Sequence, residues 1–203
     1  MANTIKALFE GTIPSASTNV YTVPSGKYAV SKSIVICNGD SAVMTFTLII
    51  GGVNVAYSHN LAGYETLIID DLDIPMLGSE TITMLSSTVN GRIVITGFER
   101  DYVAEEFPYL KIIANYSGWF TLPANDFDSI LKSIVICNPN STESRGSVMQ
   151  TSSLALIYNK TIKPRDTVII PLPKIFVPKG RQLMIAGTSS GLRFAIIFEK
   201  VVQ

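Results

Sequence analysis

The stretch "KSIVICN" occurs at residues 32–38 and again, letter for letter, at residues 132–138, an offset of 100 in a chain of 203. A chance match of this length does not extend, and this one does. Upstream, Tyr21-Thr22-Val23-Pro24 is answered by Phe120-Thr121-Leu122-Pro123. Downstream, Tyr57 is answered by Tyr158, and Glu65-Thr66-Leu67-Ile68-Ile69 by Asp166-Thr167-Val168-Ile169-Ile170. Gly78 then matches Gly180, Gly91 matches Gly191, and Phe98-Glu99-Arg100 matches Phe198-Glu199-Lys200. The expectation is a tandem duplication: a first repeat over residues 1–100, a joint at 101–108 and a second repeat over 109–203.

Each repeat reads as strands. "MTFTLII" (44–50) and "TITML" (81–85) alternate apolar and polar side chains, and "RIVITGF" (92–98) is β-branched with Gly97 late in the run. Period-2 alternation leaves one face for a core, and β-branched residues fit a pleated surface. "KSIVIC" is more continuously apolar, which predicts a central strand buried on both faces. Within it Ile34 and Ile36, and in the second copy Ile134 and Ile136, share one face, placed here in the core. Turn chemistry separates the runs: Pro24-Ser25-Gly26, Asn38-Gly39-Asp40, Gly51-Gly52, Asn90-Gly91 and Asn138-Pro139-Asn140. Asn38 and Asn138 close the repeated strand, as residues that accept the left-handed conformation and cap turns through their own amides. The best helical candidate is the joint segment "DYVAEEF" (101–107). The predicted fold class is all-β: two tandem antiparallel β-sandwich domains related by internal duplication, each of roughly seven or eight strands.

Composition narrows the function classes. Lys and Arg total 16 against 16 Asp and Glu, so no basic excess favours nucleic acid. Nothing reaches the ~18 consecutive apolar residues of a membrane span. Only 16% of residues are charged while 47% are hydrophobic, against ~25% charged in ordinary soluble chains. This predicts apolar subunit contacts and a homo-oligomer, a trimer or hexamer by the usual closed symmetries. The start "MANTIKALFEGTIP" has no apolar core of a secretory signal, so synthesis in a cytoplasm is expected. Without a signal, the glycosylation patterns at 115–117, 140–142 and 159–161 carry little meaning.

Catalytic signals are sparse. His59 is the single histidine, so no Ser-His-Asp or Cys-His set can be built in the second repeat. Asp70, Asp71 and Asp73 form an acidic cluster in which Asp71 and Asp73 would share a strand face toward calcium, but the second repeat has "PLPK" there. A solvated loop accounts for the cluster equally well. Cys37 and Cys137 sit at equivalent positions and read as reduced, buried, small hydrophobes rather than a disulfide or a metal pair. Catalytic, cofactor and metal sites are therefore all expected to be absent. Aromatic residues gather around the joint. Tyr102, Phe107 and Tyr109 are expected to fill a seam between the copies, whereas Trp119 and Phe120 belong to the first strands of the second copy. An aromatic patch can also bind sugars or a partner protein.

The entry Thr22-Val23-Pro24-Ser25-Gly26-Lys27, the "KSIxICN" strand, an "LII" run, the "SETI" strand and the closing "GFER" resemble small β-sandwich modules of tailed-bacteriophage virion proteins, found in tail-tip, baseplate, fibre and head-decoration components. The second repeat departs from the pattern, with Ala124-Asn125 where Ser25-Gly26 stands and Ile197-Phe198-Glu199-Lys200 at its close. The resemblance implies a non-enzymatic virion structural protein of the tail or host-adsorption apparatus. Its partners would be other virion proteins and itself, with a host surface polymer as a further candidate, and without nucleic acid or a membrane span. The competing expectation is a carbohydrate-binding or carbohydrate-active module using the loop ends of one sandwich. The repeats discriminate between them: core and turn residues are duplicated, whereas His59 and the Asp70–Asp73 cluster are not.

Overall fold

The computed structural model describes residues 4–151 and 154–201. The chain divides into two compact units, Met1–Phe107 and Pro108–Gln203. Both are all-β, and no helix occurs among the described residues. The first unit holds β1 (Lys6–Thr12), β2 (Thr18–Thr22), β3 (Lys27–Asn38), β4 (Met44–Ile50), β5 (Val53–Leu61), β6 (Thr66–Ile69), β7 (Ile74–Leu77), β8 (Thr81–Ser86) and β9 (Gly91–Asp101). The second holds β10 (Tyr109–Asn115), β11 (Gly118–Thr121), β12 (Ser129–Asn138), β13 (Ser144–Thr151), β14 (Leu154–Ile162), β15 (Asp166–Val177), β16 (Met184–Gly187) and β17 (Arg193–Lys200).

Each unit builds two small antiparallel sheets. In the first unit the orders are β1-β9-β3-β6, with β7 also pairing β3, and β2-β8-β4-β5. In the second they are β10-β17-β12-β15 and β11-β16-β13-β14. The orders coincide strand for strand, with β6 and β7 together taking the place of the single long β15. Alternation explains the packing. Met44, Phe46, Leu48 and Ile50 of β4 are buried while the residues between them are half-exposed, so one face of the sheet supplies a core. In the second unit a single hydrophobic cluster draws Ile134, Ile136, Phe194, Ile196 and Phe198 from one sheet and Val148, Ile157, Ile162 and Ile185 from the other. Ile34, Ile36, Ile134 and Ile136 are all fully buried, as expected.

The repeated strand does not meet the same surroundings twice. Ser133, Val135 and Cys137 on the outward face of β12 are buried together with its inward face. In β3, by contrast, Val35 is 39% exposed and Cys37 is half-buried. The expectation of burial on both faces therefore holds for the second copy only. β3 lies between β9 and β6, and its hydrogen bonds run sideways to those strands. Its outward side chains need no protein cover to be satisfied.

Asn38 and Asn138 explain why the strand ends identically. Neither takes a left-handed φ; both work through their side chains. The fully buried Asn38 amide donates to the carbonyls of Ala42 (2.7 Å), Leu61 (3.2 Å) and Ala62 (2.9 Å), and its Oδ1 accepts the Asp40 N–H at 3.1 Å. Asn138 donates to Thr142 (2.8 Å), Ile162 (3.2 Å) and Lys163 (3.1 Å) and accepts from the Asn140 N–H at 3.1 Å. Each amide thus ties the strand of one sheet to the end of β5 or β14 in the other.

Register corrects the match at the close of the repeats. Cys37 pairs with Arg92 and Cys137 with Arg193, so β9 and β17 correspond one residue away from the apparent Gly91–Gly191 and Phe98–Phe198 alignment. Gly97 stands opposite Ser31, and Phe198 stands opposite Leu131. A Cβ on Gly97 would lie 2.1 Å from the Val30 carbonyl oxygen and 2.8 Å from Leu8. The first unit closes its core there by backbone approach, and the second by inserting a phenyl ring.

The joint is not helical. Past β9 the chain makes a turn in which the Glu106 N–H donates to the Val103 carbonyl at 3.1 Å. Tyr102 and Phe107 belong to the first unit: Phe107 packs edge-on to Tyr28 (5.1 Å) and to Tyr102 (5.5 Å). Tyr109 opens β10 opposite Glu199.

Replacing Asn38 or Asn138 by Ala removes the buried amide donor to the carbonyl of Leu61 or Ile162 and the acceptor at the turn, a cost of about 1–3 kcal/mol per orphaned buried group. Each variant is expected to lose at least about 2 kcal/mol of stability in its own unit, read by thermal melting, with the other unit unaffected. A loss below about 0.5 kcal/mol would show that the amide is dispensable.

Candidate functional site

The residues singled out from sequence do not assemble into a reactive centre. His59 lies on β5 opposite Phe46, with its ring edge-on at 5.5 Å to that buried phenyl. Asp70, Asp71 and Asp73 fall between β6 and β7 rather than on one strand. Asp71 and Asp73 take left-handed φ values of 53° and 48°, while Leu72 between them is fully buried. The expected shared strand face does not exist, because the chain turns at each aspartate to drop Leu72 into the core. Asp73 is ion-paired with Lys32. Among the described residues no three His, Cys, Asp or Glu side chains come together in a metal-holding group. No helix among them is long and apolar enough to cross a membrane.

One polar cluster stands at the side of the first unit. Tyr21 donates to Glu99 at 2.5 Å, and Lys6 pairs with the other carboxylate oxygen. Burial, then the hydrogen bond to Glu99, pushes the Tyr21 hydroxyl well above the ordinary phenol range. Burial opposes ionisation of Glu99, but the hydrogen bonds from Lys6 and Tyr21 outweigh it and hold the carboxyl below its usual range. Both effects lock the proton on Tyr21 and the charge on Glu99, an arrangement that joins β1, β2 and β9 rather than one poised to exchange protons.

Three concavities stand out among the described residues. On the first unit an apolar depression of 330 Å³ lies over the outward face of β9 and β3, lined by Val94, Val35, Cys37 and Arg92. Register lays Glu10, Val94, Val35 and Ile68 side by side across β1, β9, β3 and β6, and Ile68 is 68% exposed. At one end of the second unit an open cleft of 500 Å³ runs along the turn at 178–182, between Thr121, Gln150, Lys179 and Arg181.

The third is a trough of 130 Å³ on the outward face of β11-β16-β13-β14. Trp119 on β11 pairs with Ala186 on β16, which pairs with Ser147 on β13. Opposite Ser147, β14 bulges and presents Tyr158 and Asn159. The bulge is built in: Asn159 takes a φ of 48°, and its N–H donates to Ser147 Oγ at 2.9 Å. The first unit repeats this device, with Ser58 at φ 48° donating to Thr47 Oγ1 at 3.0 Å. There, however, Leu85 occupies the pairing position of Ala186. The first unit thus carries a large side chain where the second carries a methyl. Trp119 lies on β11, an early strand of the second unit as its sequence implies. No sequence signal marks the trough, because its walls come from four strands whose neighbourhood only the sheet order reveals.

The cysteines differ. Burial pushes the Cys137 thiol above its ordinary range, opposed more weakly by the nearby Thr167 hydroxyl. Cys37, expected to be buried, is half-exposed at the rim of the apolar depression.

Comparison with known proteins finds no protein-family model that matches the chain and no match among curated protein sequences. Among solved structures it is similar to the major capsid protein P2 of bacteriophage PM2, at a TM-score of 0.34 and 9% identity over 100% of this chain and 98% of that one. It is similar to the STIV MCP at 0.31 and 11%, over 97% and 96% of the two chains. It is also similar to HutD from Pseudomonas fluorescens SBW25 at 0.31 and 10%, over 93% and 76%. These scores are too low to carry an argument about function, which rests on the residues.

Native protein treated with iodoacetamide is expected to take one label, at Cys37, and a second only after unfolding, as read by intact mass and peptide mapping. Equal labelling of both thiols in the folded protein would contradict the burial of β12.

Proposed function

We propose that the protein is a non-enzymatic structural component of a bacteriophage virion, of the tail or host-adsorption apparatus, in which two tandem antiparallel β-sandwiches descended from one by duplication bridge other virion proteins or present loops. The observation that carries this reading is the strand order. In each unit the first, last, third and sixth-position strands form one sheet, and the second, penultimate, fourth and fifth form the other. That is the connectivity of a jelly roll, two interlocked Greek keys, an architecture used by viral capsid and lectin domains. The repeat places the domain limits at 1–100, 101–108 and 109–203, the joint packing on the first domain through Tyr102 and Phe107. The motifs shared with phage sandwich modules support the same place for the chain, in the virion after synthesis in a host cytoplasm.

The distribution of polar residues supports a structural role over catalysis. What both copies keep are buried or bulge-forming groups, Asn38 with Asn138 and Thr47 with Ser147, each bonded to backbone partners. Self-association is supported by the low charge of the chain and by the exposed apolar row of Val94, Val35 and Ile68 on the first unit. A homotrimer or homohexamer would cover this row.

Labelled antibody against the protein, imaged on purified particles, is expected to decorate the tail; particles that bind none would refute a virion location. In solution, light scattering coupled to gel filtration is expected to give an oligomer for the wild type and a smaller species for Val35→Asp with Ile68→Asp. A wild-type monomer at tens of micromolar would remove the argument for self-association.

A further inference from the structure

We infer that the trough on the outward face of β11-β16-β13-β14 is a carbohydrate-binding site that seats a sugar ring between Trp119 and Tyr158. The site belongs to the second unit alone and does not rest on the virion reading.

The argument starts from spacing. β11 and β14 are the edges of a four-stranded sheet, so Trp119 and Tyr158 stand three strand separations apart, roughly 14 Å. Between them the floor is made by two of the smallest side chains, Ala186 and Ser147. Trp119 is 56% exposed and Tyr158 is 66% exposed. Large aromatic rings left this open beside a hollow floor lose the burial that usually accounts for them. Their flanks and the floor form a slot with apolar walls.

The rim supplies the other half of the recognition. Asn159 is held by the bulge at the trough's edge, and its backbone N–H is already taken by Ser147, so its side-chain amide is the group left to offer. Thr188 and Arg145 lie at the opposite end, where the Arg145 N–H donates to Thr188 Oγ1 at 2.8 Å. Arg145 makes no ion pair among the described residues. A pyranose has the matching division. Its axial C–H face is apolar and lies flat on an aromatic ring, while its equatorial hydroxyls point outward at the edge, where amide and guanidinium donors and acceptors meet them. No carboxylate lines the trough, so the site tolerates, and through Arg145 favours, a sugar bearing a carboxylate.

The hollow encloses 130 Å³, below the ~300–1,000 Å³ of drug-sized ligand sites. It accommodates a ring, with the rest of a glycan chain continuing along the groove between the two aromatic walls. The first unit repeats the bulge and the tyrosine position but not the rest of the slot: Leu85 stands in place of Ala186, and the single tryptophan has no counterpart there.

The chain's single tryptophan is Trp119, so its fluorescence reports on this site and on no other. Chitotetraose, maltotetraose and tetragalacturonate, titrated to millimolar concentration into the full-length protein, are the probes. At least one is expected to shift or quench the emission saturably, with tetragalacturonate the strongest. Ala186→Leu, which installs the first unit's residue, is expected to weaken binding about tenfold or more while the circular dichroism and melting temperature stay unchanged. Tyr158→Ala, a surface truncation that leaves the floor intact, is expected to weaken it as well while keeping the tryptophan signal. No response to any of the three sugars overturns the inference. So does binding that survives both substitutions in folded protein.

Discussion

The buried amide of Asn38, and its twin Asn138, is the constraint on which each unit depends. A two-sheet fold must place the end of one sheet's central strand against the end of a strand from the other sheet, where backbone groups need partners from outside their own sheet. The carbonyl of the buried Leu61 is one of them, and leaving it short of a donor is costly. One asparagine satisfies both kinds at once, giving its two N–H groups to three carbonyls and its oxygen to the amide two residues on. Asp would lack the donors, and Gln would place the amide one carbon too far. The strands can drift in sequence as long as they stay apolar on the inward face, whereas the residue that fastens the corner cannot. This accounts for the identical end of the repeated heptapeptide better than core packing does, since the two strands have different surroundings on their outward faces.

Much of the architecture was legible because it follows from local chemistry. Alternation in "MTFTLII" and "TITML" marks the buried faces, and the glycines and asparagines between runs mark the turns. The fully buried positions of Ile34, Ile36, Ile134 and Ile136 follow from period two alone. What was not legible depends on neighbours supplied by distant sequence. Cys37 and Cys137 sit in identical heptapeptides, and their different exposure is written in other strands. The aspartates at 70–73 look like a charged cluster, yet their role is to carry two left-handed turns that deliver Leu72 to the core. The match of "GFER" with "IFEK" is strong in letters and wrong in register, because the pairing of Arg92 and Arg193 with the two cysteines sets the alignment instead.

The candidate site shows the same limit. No stretch of sequence announces the trough: Trp119 and Tyr158 are nearly forty positions apart, and the residues that matter most, Ala186 and Ser147, are notable only for being small. At the same pairing position one unit carries Leu85 and the other Ala186. The scaffold beneath, a bulge whose amide is held by a neighbouring hydroxyl, is common to both and stays rigid through the exchange.

Tandem copies with an identical strand face a hazard of their own making. During folding β3 could pair with β17, or β12 with β9, and exchange of equivalent strands between adjacent repeats is a characteristic way for such chains to misassemble. The one-residue offset between Gly97 and Phe198 works against it. β17 laid on β3 would drive a phenyl ring toward the place where the first unit brings two backbones together at Gly97. β9 laid on β12 would leave Leu131 facing a glycine and an empty space. The two units share their corner fastening, but at this point each pair of strands fits its own partner better than its counterpart's.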